Sequence, residues 1–271
     1  MYEFDRSTPV TVVLRALGGA VEIVAEDRLT IQVDVQPMSA NGHEAAQNTR
    51  VELEDDTLLI SVPGAEFWTW RRTPKLKITA RVPLGSAVAG KTASADVRAT
   101  GVFSDIRLDV ASADVDVSEA TGDVALDAAS GDLTVGRVGG SLKVKSASGD
   151  VRVGDVNGDV NFDTASGDIR TGAIGGSARA STASGDIEIG SLRQGQASIN
   201  TASGDITVGV APGSAVWMDV NTVSGRSITD LTAQGDVPPS DEQVTLELRI
   251  RAVSGDVRIH RASAPNRKAA A

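Results

Sequence analysis

The chain has 271 residues, a net charge of −10, 28 Gly, 9 Pro, 3% aromatic residues and no Cys. The absence of cysteine excludes a disulfide framework, thiolate zinc and a thiol nucleophile. The acidic balance, with a pI near 4.7, speaks against binding to nucleic acid or to an anionic membrane.

With so few aromatics in a chain that is 41% apolar, the core has to be assembled from Val, Ile, Leu and Ala in narrow, regular layers. The first residues, Met1–Arg6, show no basic segment followed by an apolar one, and the apolar stretch from Val10 to Ala25 is broken by Arg15 and Glu22. The sequence therefore predicts no signal peptide and no membrane insertion, which makes a soluble, cytoplasmic chain the expectation. Period-two alternation predicts strands at Thr11–Leu14, Ala20–Val24, Thr30–Val35, Val51–Leu53, Thr57–Val62 and Leu76–Val82, with a loose polar segment at Pro37–Asn48. These are expected to be irregular N-terminal strands and a cap, over residues 1–82.

An unusual cluster lies within this region: Phe67, Trp68, Trp70, Arg71 and Arg72, in a chain with only three tryptophans. On a strand Trp68 and Trp70 share one face. The five residues are the candidate partner-binding site, a platform for a protein or a sugar. The alternative is a cap over an open end.

From residue 83 to 260 a repeat dominates. The tetrapeptide Ser-Gly/Ala-Asp-aliphatic begins at Ser94, Ser112, Ser130, Ser148, Ser166 and Ser184, at intervals of 18, and again at Ser203, Ser254 and, degenerate, at Ser224. Counting from the Ser, position 4 reads Val97, Val115, Leu133, Val151, Ile169, Ile187; position 9 reads Val102, Ala120, Val138, Val156, Ile174, Leu192. Positions 6, 13 and 15 are also apolar apart from Thr171 at position 6, and polar residues lie between. Two topologies use such a pattern: an antiparallel meander, or a parallel β-solenoid with one coil per repeat. A meander has no reason to keep every column uniform, whereas coils stacked about 4.8 Å apart do. The prediction is an all-β parallel β-solenoid with ~18-residue coils, capped by the N-terminal strands and continuous with them in one structural domain. Three apolar clusters per coil suggest a flattened triangle. Val244–Val257 is expected to close the far end, with residues 261–271 as a flexible tail.

The repeated Ser-Gly-Asp-Ile/Val turn, the Gly19-Ala-Val-Glu-Ile23 strand and the Val82-Pro-Leu-Gly turn resemble the bacterial candidate-adhesin β-strand-repeat family, a family of unknown function, over about residues 3–260. More distantly the pattern is similar to the bactofilin scaffold fold. The resemblance implies a β-helix and supplies no catalytic residues.

The aspartates of the repeat form a column: Asp96, Asp114, Asp132, Asp150, Asp168, Asp186, Asp205 and Asp256. A ladder of cation sites would need Gly-x-Gly-x-Asp turns whose carbonyls also ligate, and none is present. The reading adopted is a structural corner ladder in which these side chains accept backbone N–H bonds. Stacked like charges are expected to raise some of these pKa values. Neither a metal nor a cofactor is expected. His43 and His260 are isolated and read as surface residues. Asp109, Asp127 and Asp163 fall in one column with Lys145, near Lys143, the arrangement a carbohydrate-active β-helix enzyme would use, but stacking creates such columns automatically. The column Thr164, Thr182, Thr201, Thr222 is too narrow for an ice-binding face. The expected function is a non-enzymatic scaffold or adhesin-like module for a protein or polymer partner, with the solenoid ends available for self-association.

Overall fold

The computed structural model describes residues 1–64, 74–231 and 245–262. Apart from one short helix it is all-β, and its repeat strands pair in parallel at the 18-residue interval. Val124, for example, lies between Ile106 and Leu142. This is a parallel β-solenoid, and the meander is excluded. Two compact units divide the chain, Met1–Gly149 and Asp150–Ala271.

The first unit opens with β1 (Tyr2–Asp5), β2 (Thr11–Glu26), β3 (Thr30–Pro37), α1 (Gly42–Gln47), β4 (Arg50–Glu54), β5 (Thr57–Ser61) and β6 (Lys75–Pro83). It continues through β7 (Ala87–Phe103), β8 (Ile106–Ser112), β9 (Val115–Ala120), β10 (Val124–Ser130), β11 (Leu133–Val138) and β12 (Leu142–Ser148). Each coil contributes one strand to each of two faces. On one face β5, β2, β7, β8, β10 and β12 run side by side in parallel. On the other, β6, β2, β7, β9 and β11 do so.

β2 and β7 serve both faces because each turns a corner along its length, β7 between Thr92 and Ala95. In β2 the buried residues are Val12, Leu14 and Ala16, then Val21, Ile23 and Ala25. The switch from even to odd numbers falls at Gly18-Gly19. Gly19 has φ +113°, and a Cβ there would lie 2.0 Å from the Leu76 carbonyl oxygen, so only glycine fits this corner. β3 pairs antiparallel with β1 and β6, and β4 antiparallel with β5. The opening strands thus include antiparallel pairings that a plain parallel stack would lack.

Two local expectations are corrected here. The segment Pro37–Asn48 is not simply loose: it contains α1, a turn and a half built on Glu44, Ala45, Ala46 and Gln47, all but uncapped and too short for periodicity to reveal. At position 9 of the first repeat the core residue is Phe103, fully buried and opposite Ala120, while Val102 stands opposite Glu119. An irregularity between Ala99 and Val102 inserts one residue and turns Val102 out of the core.

The second unit comprises β13 (Val151–Val156), β14 (Val160–Ser166), β15 (Ile169–Ile174), β16 (Ala178–Ser184), β17 (Ile187–Leu192), β18 (Gly195–Ser203) and β19 (Ile206–Val210). β20 (Val216–Ser224), β21 (Ser227–Thr229), β22 (Leu246–Ser254) and β23 (Val257–Arg261) follow. Its coils do not stack in chain order. β22 pairs with β18 on one side and β20 on the other, and β23 lies likewise between β19 and β21. The final repeat is therefore inserted beneath the one that precedes it. Val244–Val257 does not close the stack; the coil of β20 and β21 is outermost among the described residues. Burial agrees: Leu246, Leu248, Ile250, Val257 and Ile259 are fully buried, whereas β21 is exposed along its length.

The position two residues before each following repeat Ser also points inward, which the sequence reading missed. Thr164, Thr182 and Thr201 are buried. Thr182 and Thr201 donate to the carbonyls of Ser184 and Ser203, two residues on, at 3.1 and 3.2 Å. A hydroxyl suits this place because it satisfies the turn carbonyl without leaving the core.

Candidate functional site

The corner aspartates act between coils. In the first unit Asp96 Oδ1 accepts the backbone N–H of Asp114 at 3.2 Å, and Asp114 Oδ1 that of Asp132 at 2.9 Å. In the second unit the same bond runs from Asp168 to Asp150, Asp186 to Asp168, Asp205 to Asp186 and Asp256 to Asp205, at 2.8–3.1 Å. The last rung is Arg226, whose N–H donates to Asp256 Oδ1 at 2.9 Å. Each carboxylate takes an N–H from the next coil up, so the outermost coil needs no aspartate and carries Arg in its place. The degenerate Ser224-Gly225-Arg226 was the signal that this coil is terminal.

The expectation of raised pKa values is overturned where a shift is resolved. The N–H of Asp186 holds Asp168 below the usual carboxylate range, with help from Arg170 and Arg152 against a smaller effect of burial. The backbone and guanidinium of Arg226 do the same for Asp256. A donated hydrogen bond outweighs a like charge one coil away because it is shorter and directional. The Oδ2 atoms of Asp150 and Asp168 accept from Arg152 and Arg170 at 2.8 and 2.9 Å, so these carboxylates are already engaged on both oxygens. Among the described residues no group of three or more His, Asp or Glu is placed to hold a metal.

A second ladder at another corner was not singled out. Asp105 accepts the N–H of Asp123, Asp123 that of Ser141, and Asp159 that of Ser177, at 2.7–2.9 Å. Its signal was the Gly-Asp pair at half-coil spacing, as in Gly158-Asp159. A further rung of the same kind joins Asp155 to the N–H of Ala173 at 2.9 Å.

One candidate surface lies in the second unit. A groove of about 570 Å³ runs across β18, β22 and β20. One wall is the column Asn200, Arg251, Asn221; the other is Ala202, Val253, Val223, each set in register on adjacent strands. Val223 and Val253 are 79% and 57% exposed. Asp219 lines the groove as well. Nearby, Arg249 lies 5.7 Å from the Trp217 ring centroid and bonds Glu247 at 2.5 Å. Amides, a guanidinium and a carboxylate facing a strip of small apolar side chains can hydrogen-bond and desolvate a linear molecule at once. The sequence reading missed this groove because Asn221 and Arg251 meet only through the out-of-order coil.

A smaller cleft, about 170 Å³, lies in the first unit between Arg107, Asp109, Asp127, Lys143 and Lys145. It brings together four of the five residues noted in the Asp–Lys column. The fifth, Asp163, belongs to the second unit, opposite Ser181. His260 is not a plain surface residue, since its Nδ1 is buried without a partner. Phe67, Trp68, Trp70, Arg71 and Arg72 lie outside the described residues. Among the described residues no helix is long and apolar enough to cross a membrane.

Comparison with known proteins gives a family and several distant structural matches. The family model described as Toastrack DUF4097 matches residues 12–259. No curated protein matches. Among solved structures, a candidate lipid-binding protein from Parabacteroides distasonis is 16% identical, covers 95% of each chain and superposes with a TM-score of 0.47. A candidate adhesin from Bacteroides fragilis is 15% identical over 95% of each chain, with a TM-score of 0.37. One from Parabacteroides merdae is 11% identical over 95% of this chain and 94% of its own, with a TM-score of 0.32. At these values no ligand or role passes from those proteins to this chain.

Proposed function

We propose that this chain, which belongs to the Toastrack DUF4097 family, is a non-enzymatic β-solenoid binding module that takes an extended protein or polymer along the outward columns of its coils. The observation that carries the reading is the groove over β18, β22 and β20. Its volume, about 570 Å³, falls in the range of ligand sites, and its lining alternates hydrogen-bonding and apolar columns. The rungs repeat at the strand spacing of about 4.8 Å, so a chain molecule laid across the strands meets the same kind of contact at each step. Strands locked by the aspartate ladders lose little entropy on binding, which favours affinity.

A carbohydrate-active enzyme would hold a sugar between two carboxyl groups on opposite sides of the ring. Asp109 and Asp127 stand side by side on one surface, and Asp109 is tied to Lys91 at 2.8 Å. That arrangement suits contact better than cleavage.

The test is a panel of immobilised polysaccharides and extended peptides, probed with the full chain and with the double variant Asn200→Ser, Arg251→Ser. The ligand retained by the parent should bind the variant roughly tenfold more weakly, the loss expected for charge-assisted and amide hydrogen bonds together. Equal retention of both proteins would remove the groove from the function. The same panel run with Trp68→Ser, Trp70→Ser asks whether the aromatic cluster contributes.

A further inference from the structure

The cleft of the first unit reverses the charge of the molecule around it. Two outward columns cross β7, β8, β10 and β12. In one, Ala89, Arg107, Ala125 and Lys143 follow in register; in the other, Lys91, Asp109, Asp127 and Lys145. These eight positions hold four cations and two carboxylates in a chain of net charge −10. Lys91 is spent on Asp109. Arg107, Lys143 and Lys145 have no carboxylate within ion-pair distance among the described residues, although Lys145 is on the strand next to Asp127.

Geometry gives the three free cations a common point. Ala125 lies between Arg107 and Lys143, one strand from each. Its short methyl leaves the column low at this point, and Ala125 lines the cleft of about 170 Å³ together with Asp109, Asp127 and the three cations. An anion seated over Ala125 is reached by Arg107 from one side and Lys143 from the other, with Lys145 diagonal to it. Arg adds planar, two-point recognition that matches a carboxylate. Asp127 is two residues along the same strand, on the same face. It is an acceptor beside an anion seat, so the ligand must present a donor close to its negative charge.

We propose that this cleft is a recognition site for an acidic polysaccharide, one uronic-acid-type sugar at a time: carboxylate over Ala125 between Arg107 and Lys143, ring hydroxyl donating to Asp127. The mixed charge selects against denser polyanions. A polyphosphate or nucleic acid would bring several charges against Asp109 and Asp127 and against the acidic remainder of the chain. The cleft is too small to enclose a ring, so it holds the edge of a sugar. The site is independent of the groove in the second unit.

The experiment titrates the full chain with oligogalacturonate, with its methyl ester, which keeps the hydroxyls and removes the charge, and with inorganic polyphosphate. Oligogalacturonate should bind and weaken with added salt. The ester should bind roughly tenfold more weakly or not at all. Arg107→Ser with Lys143→Ser should cause a similar loss. So should Ala125→Glu, which leaves every cation in place and puts a carboxylate in the seat. All three positions are outward, and unchanged melting temperatures would show that the variants remain folded. Absence of oligogalacturonate binding, equal binding of the ester, indifference to both variants, or tighter binding of polyphosphate would each overturn the assignment.

Discussion

At the scale of single residues the fold depends on where each side chain of the repeat points. Asp168 sits at a corner and bonds the next coil, whereas Ile169, its neighbour, is fully buried. Asp168→Ala should cost about 1–2 kcal/mol, because it removes the acceptor of the Asp186 N–H and of the exposed Arg170 at a partly wet corner. Ile169→Asp should cost about 3 kcal/mol or more, because it buries an unpaired charge. Urea unfolding of the two variants measures the difference, and a harmless Ile169→Asp would refute the inward column. Thr164 is the opposite case. Its Oγ1 is buried without a partner, although the equivalent hydroxyls of Thr182 and Thr201 find one. Thr164→Val keeps the shape and removes the stranded group, so it should stabilise by about 1 kcal/mol. Destabilisation would mean that the hydroxyl is satisfied after all.

At the scale of strands and coils, the order 195–210, 246–261, 216–229 makes the last repeat an interior element. Val257→Asp should then be severely destabilising, since Val257 is fully buried between Ile206 and Ser227. Ile228→Asp should stay within about 0.5 kcal/mol, as Ile228 is 48% exposed on the outermost coil. Amide hydrogen exchange supplies a second reading: β22, flanked on both sides, should exchange more slowly than β20, flanked on one. The reverse order would restore coils stacked in sequence. The parallel coils, their length and most inward columns were legible because identity at 18-residue spacing is what stacking imposes. The coil order was not, although Arg226 in the aspartate position carried the clue, because a local pattern names a coil without naming its neighbour. The groove was illegible for the same reason: Asn221 and Arg251 are 30 residues apart and adjacent only after the insertion. The cleft residues were visible as columns, but their unpaired cations and the low point at Ala125 needed the register between strands.

At the scale of the whole molecule, acid acts in two directions. Lowering the pH toward 5 reduces the self-repulsion of a chain of charge −10, an effect that salt screens. Asp168 and Asp256 act the other way, because both are held below the usual carboxylate range. Groups depressed in the folded state contribute stability above their unfolded pKa and lose it as the pH falls through the folded value. The melting temperature should therefore fall as the pH drops below about 4, and less steeply in Asp168→Asn. A melting temperature that keeps rising to pH 3 would mean that stacked like charges dominate. The functional reading is that the stacked columns hold a partner without changing it. The most direct check incubates the full chain with the ligand retained by the polysaccharide and peptide panel and follows both the bound fraction and the length of the ligand over many hours. Stable retention with unchanged length is the predicted result; shortened chains or newly formed ends would contradict it and make the protein an enzyme.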